Sequence, residues 1–194
     1  MQLLRPSRVE GDGVTEEALI RRAATGDVEA FADLYERYLD RMFRYFYYRL
    51  AHREDAEDLS EQVFLRAWQA LPGYNCRGVP FAAWLFRIAH NLLVDYHRRN
   101  QDTTQLDDAL DVADEGADPH EIASRRYEAQ ALAAAISQLS AVEQSVVVLR
   151  FVEGMDHRSV ASIIEKSEVA TRSIQSRALA RLARLLDVGE RSKK

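Results

Sequence analysis

Trp84, Arg87, Asn91, Asp95 and Arg98 recur at intervals of three and four residues in the run PFAAWLFRIAHNLLVDYHRR, residues 80–99. At about 100° per residue they share one helix face, while Phe81, Leu85, Ile88, Leu92 and Tyr96 share another. The apolar face is a core face. The polar face combines an aromatic plane, two guanidiniums, an amide and a carboxylate. Such a set suits acid–base catalysis, the docking of a partner, or the holding of a nucleic-acid strand.

Catalysis is the weakest of these readings. The five histidines, His52, His90, His97, His120 and His157, form no HExxH pair and no ligand spacing with a carboxylate cluster. The chain has no GxSxG, no phosphate-cradling glycine loop and no Cys/His nucleophile pair. Asp95 near His90 and Arg98 reads more simply as part of a helix-surface ion pair. The expectation is a non-enzyme that needs no cofactor and no metal.

The elements that must carry this face are helical. The 194 residues are 47% hydrophobic with 8 Gly and 4 Pro, and strict apolar–polar alternation is almost absent, so the fold class is all-α. The one cysteine, Cys76, rules out an internal disulfide and suits a reducing compartment. No apolar run is long enough to span a bilayer and the first 30 residues lack a signal-peptide core, so the expected location is cytoplasmic, away from membranes.

Net charge is −5, which argues against a nucleic-acid partner until it is counted by segment. Residues 101–128 carry nine acids and two bases, whereas 129–194 carry seven acids and ten bases. The acidity is local, and a polyanion-binding surface remains open elsewhere. The acidic stretch 101–124 reads as a flexible, self-repelling linker between two small helical domains, 15–100 and 125–188.

In the first domain the periodicity predicts helices over 15–25, 28–50, 54–71 and 80–99. Thr15 is the expected cap of the first, and Gly26-Asp27 its end. Phe31, Leu34, Tyr38, Met42 and Tyr45 form the core stripe of the second. The third buries Ala56, Leu59, Val63 and Ala67 and shows Asp55, Asp58, Gln62, Arg66 and Gln69 on its other face. Acids in a first turn also complement the helix dipole, so a structural reading of Asp55 and Asp58 stands beside a docking one. LPGYNCRGVP, residues 71–80, breaks the chain before the opening stretch.

In the second domain helices are expected over 125–138, 141–152, 157–164 and 168–187, with Glu153-Gly154 as a separator. The last two have helix-turn-helix proportions. Thr171, Ile174, Ala178, Leu182 and Leu185 face the core of the final helix. Arg172, Ser173, Ser176 and Ala180 face away, with Arg177 beside them. Small and basic residues near the start of such a helix suit a major groove.

At this point DAEDLSEQVFLRAW (55–68), followed by FAAWLFRIAHNLLVDYHRR (81–99), closely resembles region 2 of extracytoplasmic-function sigma factors. LSAVEQSVVVLRFVEGM (139–155) and SVASIIEKSEVATRSIQSRALARL (159–182) resemble their region 4. The resemblance implies an initiation subunit of bacterial RNA polymerase, with region 2 in 15–100 and region 4 in 125–188. It implies docking on core RNA polymerase through Asp55, Asp58, Gln62 and Arg66. It further implies that Tyr74, Arg77, Trp84, Arg87, Asn91 and Arg98 hold the unpaired strand of the −10 promoter element. Contacts to the −35 element of promoter DNA would come from Arg172, Ser173, Ser176 and Arg177. Relatives are commonly held inactive by an anti-sigma factor, and the free chain is expected to be a monomer.

The chemistry agrees with that role, because holding an open strand takes aromatic planes, phosphate-facing guanidiniums and an amide that reads a base edge. Trp84 is the exception, since a Trp on a helix of a small domain is more often a core residue than a stacking platform. Region 4 departs from the pattern at Glu165, Val169 and Thr171. A non-glycine residue at the bend costs about 1 kcal/mol, Thr171 weakens the buried stripe, and Glu165 and Glu168 bring carboxylates near any phosphate. Two rival readings remain: a stand-alone helix-turn-helix regulator, which leaves the DAEDL face unexplained, and a scaffold that mimics sigma surfaces.

Overall fold

The computed structural model describes residues 15–75, 78–100 and 131–191, and among these every regular element is a helix. Arg77, Cys76, the linker expected over 101–124 and the helix start expected at 125 lie outside the described residues.

The Thr15 hydroxyl accepts from the Ala18 N–H at 3.3 Å and opens α1 (Glu16–Ala24), with Glu16 and Glu17 in the turn where the helix dipole favours acids. Gly26, at φ +93°, reverses the chain in a conformation that favours glycine. Asp27 then caps α2 (Val28–Leu50). The Ala30 N–H at 3.0 Å and Arg22 Nε at 2.7 Å hold its carboxyl below the usual carboxylate range.

Leu34, Tyr38, Met42 and Tyr45 are buried along α2 as the periodicity requires, and Phe31 is half-buried. From Arg41 to Leu50, however, no residue of α2 is exposed. A helix enclosed all round has neighbours on every side, and here α3 and the turn at 148–152 both pack on it. His52 caps α3 (Arg53–Ala70), which buries Ala56, Leu59, Val63 and Ala67 and adds Ser60 and Phe64 to that face. A 3-10 turn, Leu71–Gly73, leads toward α4 (Phe81–Asn100). Burial on α4 goes beyond the expected stripe, taking in Ala83, Phe86, Ala89 and Leu93, because α3, α2 and α7 all pack against it.

In the C-terminal half, α5 covers residues 131–137 of the described chain. Ser140 and Glu143 form a reciprocal capping box that starts α6 (Ala141–Val147). The helix expected over 141–152 holds in extent but not in winding: Val148–Val152 is a π turn, closed by the Glu153 N–H on the Val148 carbonyl at 3.0 Å. Asp156 caps α7 (His157–Ile163), and the Ser167 hydroxyl accepts from the Ala170 N–H at 3.2 Å at the head of α8 (Glu168–Arg191).

The bend between α7 and α8 is the helix-turn-helix. Glu165 sits at φ +55°, and the Lys166 N–H bonds the Ala161 carbonyl at 3.0 Å in a Schellman closure. A β-carbon in this conformation costs about 1 kcal/mol. Glu165→Gly is therefore expected to raise the melting temperature by about 2–4 °C for a chain of this size, read in a thermal melt. An unchanged or lowered midpoint would contradict the strain assigned to this bend. Thr171 is fully buried in the stripe of Ile174, Ala178 and Leu182, but its hydroxyl donates to the Ser167 carbonyl at 3.0 Å. The buried polar atom is thus satisfied, and the expected weakening is confined to the smaller apolar area of threonine.

Candidate nucleic-acid interface

The polar face of α4 begins at an aromatic cluster. Trp84 is half-buried, with its ring 4.9 Å from that of Tyr74 and 5.4 Å from that of Phe81. The Tyr74 hydroxyl donates to the Val79 carbonyl at 2.6 Å and pins the loop against the helix. Trp84 is thus part core and part surface, and its indole plane is shared with its neighbours.

Farther along, Asn91 and Arg98 are exposed. Asp95 accepts from Arg98 Nη2 at 3.2 Å and stands 3.9 Å from Arg66 Nη1 of α3, so it orients cations and ties the two helices together. Arg87 is half-buried rather than fully open to solvent. Its Nη2 donates to the Ser162 carbonyl at 3.3 Å and to the Ser162 hydroxyl, both on α7, while its Nε is buried without a hydrogen-bond partner among the described residues. Of the −10 set, Tyr74, Trp84, Asn91 and Arg98 remain along the α4 surface, and Arg87 is drawn into the contact between the two halves.

On α3 the four residues expected to dock polymerase differ in setting. Asp58, Gln62 and Arg66 are exposed. Asp55 is half-buried, accepting from the Tyr96 hydroxyl at 2.6 Å with His52 Nδ1 at 3.1 Å. It occupies the third helical position, where the dipole also favours it, so it has a structural role. On α8, Arg172, Ser173, Ser176 and Arg177 are all exposed on one side. Glu168 stands 3.6 Å from Arg172 and partly neutralises it.

Sequence reasoning missed a second polar set, buried between the halves. Arg49 is 5% exposed and has no carboxylate partner among the described residues: it donates to Gln144 Oε1 at 3.0 Å, Ser145 Oγ at 2.8 Å and the Tyr45 hydroxyl at 3.2 Å. The Tyr45 hydroxyl in turn meets His90 Nδ1 at 3.3 Å. Burial, with a smaller contribution from Arg49, pushes the His90 pKa down to about 4, so the ring is neutral at physiological pH. Glu153, read only as a separator, has a fully buried carboxylate: Arg41 Nε donates to it at 2.9 Å and Arg44 Nε lies 3.5 Å away. Burial raises its pKa, against the pull of both arginines. Arg49 was legible in principle, since it continues the stripe of Tyr38, Met42 and Tyr45 at steps of four and three residues.

Two helical regions, the second ending in a helix-turn-helix with an exposed small-and-basic face, define a DNA-binding transcription protein. The comparisons identify the family. Residues 34–103 match the family model of sigma-70 region 2, and residues 129–182 that of sigma-70 region 4. The ECF RNA polymerase sigma factor BldN of Streptomyces coelicolor is 33% identical over 184 residues, covering 94% of this chain and 69% of BldN. NccH of Alcaligenes xylosoxydans xylosoxydans, an RNA polymerase sigma factor, is 31% identical over 183 residues, covering 90% of this chain and 96% of NccH. The solved structure of CnrH in complex with the cytosolic domain of CnrY aligns with a TM-score of 0.66 at 27% identity, covering 89% of this chain and 97% of CnrH. The chain belongs to the extracytoplasmic-function branch of the sigma-70 family. It is an RNA polymerase sigma factor, a transcription initiation factor. No helix among the described residues is long and apolar enough to cross a membrane.

Proposed function

We propose that this sigma factor has no catalytic chemistry of its own and acts in the cytoplasm, as a monomer when free, by lending core polymerase its promoter choice. Region 2 is assigned to 15–100, region 4 to 125–188, and the acidic linker to 101–124. Docking on core runs through Asp58, Gln62 and Arg66, with Asp55 bracing the helix that presents them. Asn91 reads a base of the opened −10 strand, Arg98 and Arg87 hold phosphates, and Tyr74 and Trp84 supply the stacking edge. Arg77 completes this set by sequence. Arg172, Ser173, Ser176 and Arg177 enter the groove at the −35 element. CnrH was solved with the cytosolic domain of CnrY, and an anti-sigma partner of that kind is inferred for this chain.

The observation that carries the reading is the exposed amide of Asn91 with the Arg98 guanidinium two turns on, on a helix that starts at an aromatic cluster. Net charge is −5, and a surface of few cations releases few counterions from duplex DNA. The free chain is therefore expected to retain promoter duplex poorly in a gel-shift assay, and to retain it tightly and sequence-specifically with core polymerase added. Sub-micromolar specific binding without core would favour the stand-alone regulator.

A further inference from the structure

Val169 is the most exposed large apolar side chain among the described residues, at 79%. Nothing inside the protein accounts for a valine there. It stands in the first turn of α8, two residues after Ser167, whose hydroxyl accepts from the Ala170 N–H and opens the helix. A β-branched side chain is a poorer helix former than alanine, and in water it contributes no burial. The buried stripe of α8 runs through Thr171, Ile174, Ala178 and Leu182, on the far side of the helix. Val169 is also one of the three positions at which region 4 departs from the family pattern, so its role belongs to this chain rather than to the family at large.

The neighbours of Val169 define what it faces. At about 100° per residue, Ser176 lies about 20° and Ser173 about 40° from it, while Arg172 and Arg177 flank them about 60° and 80° away on opposite sides. All five are exposed. The centre of the face is therefore short, and its edges carry long cations. Such a profile fits a major groove: short side chains admit the helix to the base edges, and guanidiniums on the flanks reach the phosphates of the two walls. Glu168 stands 3.6 Å from Arg172, which keeps its carboxylate at the flank and leaves the centre to Val169. Val169 has neither donor nor acceptor, so it cannot read a base by hydrogen bonding. The apolar group that marks one base in the major groove is the C5-methyl of thymine. A valine against that methyl removes both from water, whereas cytosine offers only a C5 hydrogen at the same place.

We propose that Val169 is a specificity-determining residue of this sigma factor, selecting a thymine in the −35 element through the C5-methyl of that base. The inference rests on the assignment of α8 to the −35 element and deepens it by naming the base and the group that is read.

The test uses the full chain with core polymerase, which first selects −35 elements from a promoter library randomised across them. One position should select thymine. In the selected promoter each −35 thymine is then replaced in turn by deoxyuridine, which removes the methyl and keeps every hydrogen bond. At the position read by Val169 this should weaken holoenzyme binding about fourfold, the value of one buried methyl group. With Val169→Ala, thymine and uracil at that position should bind alike, while the rest of the element is selected as before. An effect of deoxyuridine on duplex shape would persist in the variant, so the two changes together isolate the contact. Val169→Ala should melt no lower than the parent, because alanine is the better helix former at an exposed site, and this separates a lost contact from a lost fold. A parent insensitive to uracil at every −35 thymine, or a sensitivity that Val169→Ala retains, overturns the proposal. A parent holoenzyme indifferent to every −35 base removes the −35 assignment from α8 itself, and the proposal falls with it.

Discussion

Asp58→Arg is expected to lower the affinity of this sigma factor for core polymerase by about thirtyfold or more while leaving helical content unchanged. The carboxylate is exposed, makes no ion pair among the described residues, and sits at the sixth position of α3, beyond the first turn where the helix dipole would explain it. Removing one member of a charge pair that becomes buried on binding costs about 2–5 kcal/mol, and reversal adds repulsion to that loss. Gln62 and Arg66 follow at four-residue steps on the same exposed face, so the variant strikes the edge of a continuous surface. Asp55 is the less informative target. Its bonds to Tyr96 and His52 mean that Asp55→Arg would also loosen the packing of α3 on α4. The measurement is co-purification with core at physiological salt, alongside circular dichroism. Full retention of Asp58→Arg on core would remove this face from the docking site.

Asn91→Ala is expected to change which −10 base is preferred, by about 5–150-fold at one position, because a base-edge contact contributes about 1–3 kcal/mol. Asn91 is exposed on α4 and offers both a donor and an acceptor. The matched control is Arg98→Ala, which removes an exposed guanidinium paired, among the described residues, with Asp95 and should weaken all promoters about equally. Arg87→Ala is a poorer control, since it removes a phosphate contact and the bond to Ser162 together. The readout is transcription from a library randomised across the −10 element. An unchanged base profile for Asn91→Ala, with activity intact, would show that this face does not read the strand.

Much of this was legible in the residues because local rules and global packing agree. Thr15, Gly26-Asp27 and the stripe of Leu34, Tyr38, Met42 and Tyr45 read directly into caps and core. The left-handed bend at Glu165 was legible as well, since a helix-turn-helix needs a reversal there whatever residue supplies it. The contact between the halves was not. Periodicity reports how one helix buries one face, and it is silent on a second partner brought in from elsewhere in the chain. Hence Arg49 and Glu153, ordinary charges in the sequence, are among the most enclosed polar groups of the structure, and Arg87 was assigned to DNA with no sign of Ser162. The π turn at Val148–Val152 lies in a run, VVVLRFV, that is apolar but for Arg150 and carries no signal for a change of winding.

Run-off transcription with purified core polymerase tests the central claim most directly. Templates are drawn from a promoter library, and each reaction is run with the chain alone, core alone, and both. Transcripts of defined length should appear only with both, from a subset of templates sharing −35 and −10 sequences, and Asp58→Arg should abolish them. Absence of template-selective transcripts from the combined reaction, when the chain is folded and bound to core, would contradict the account.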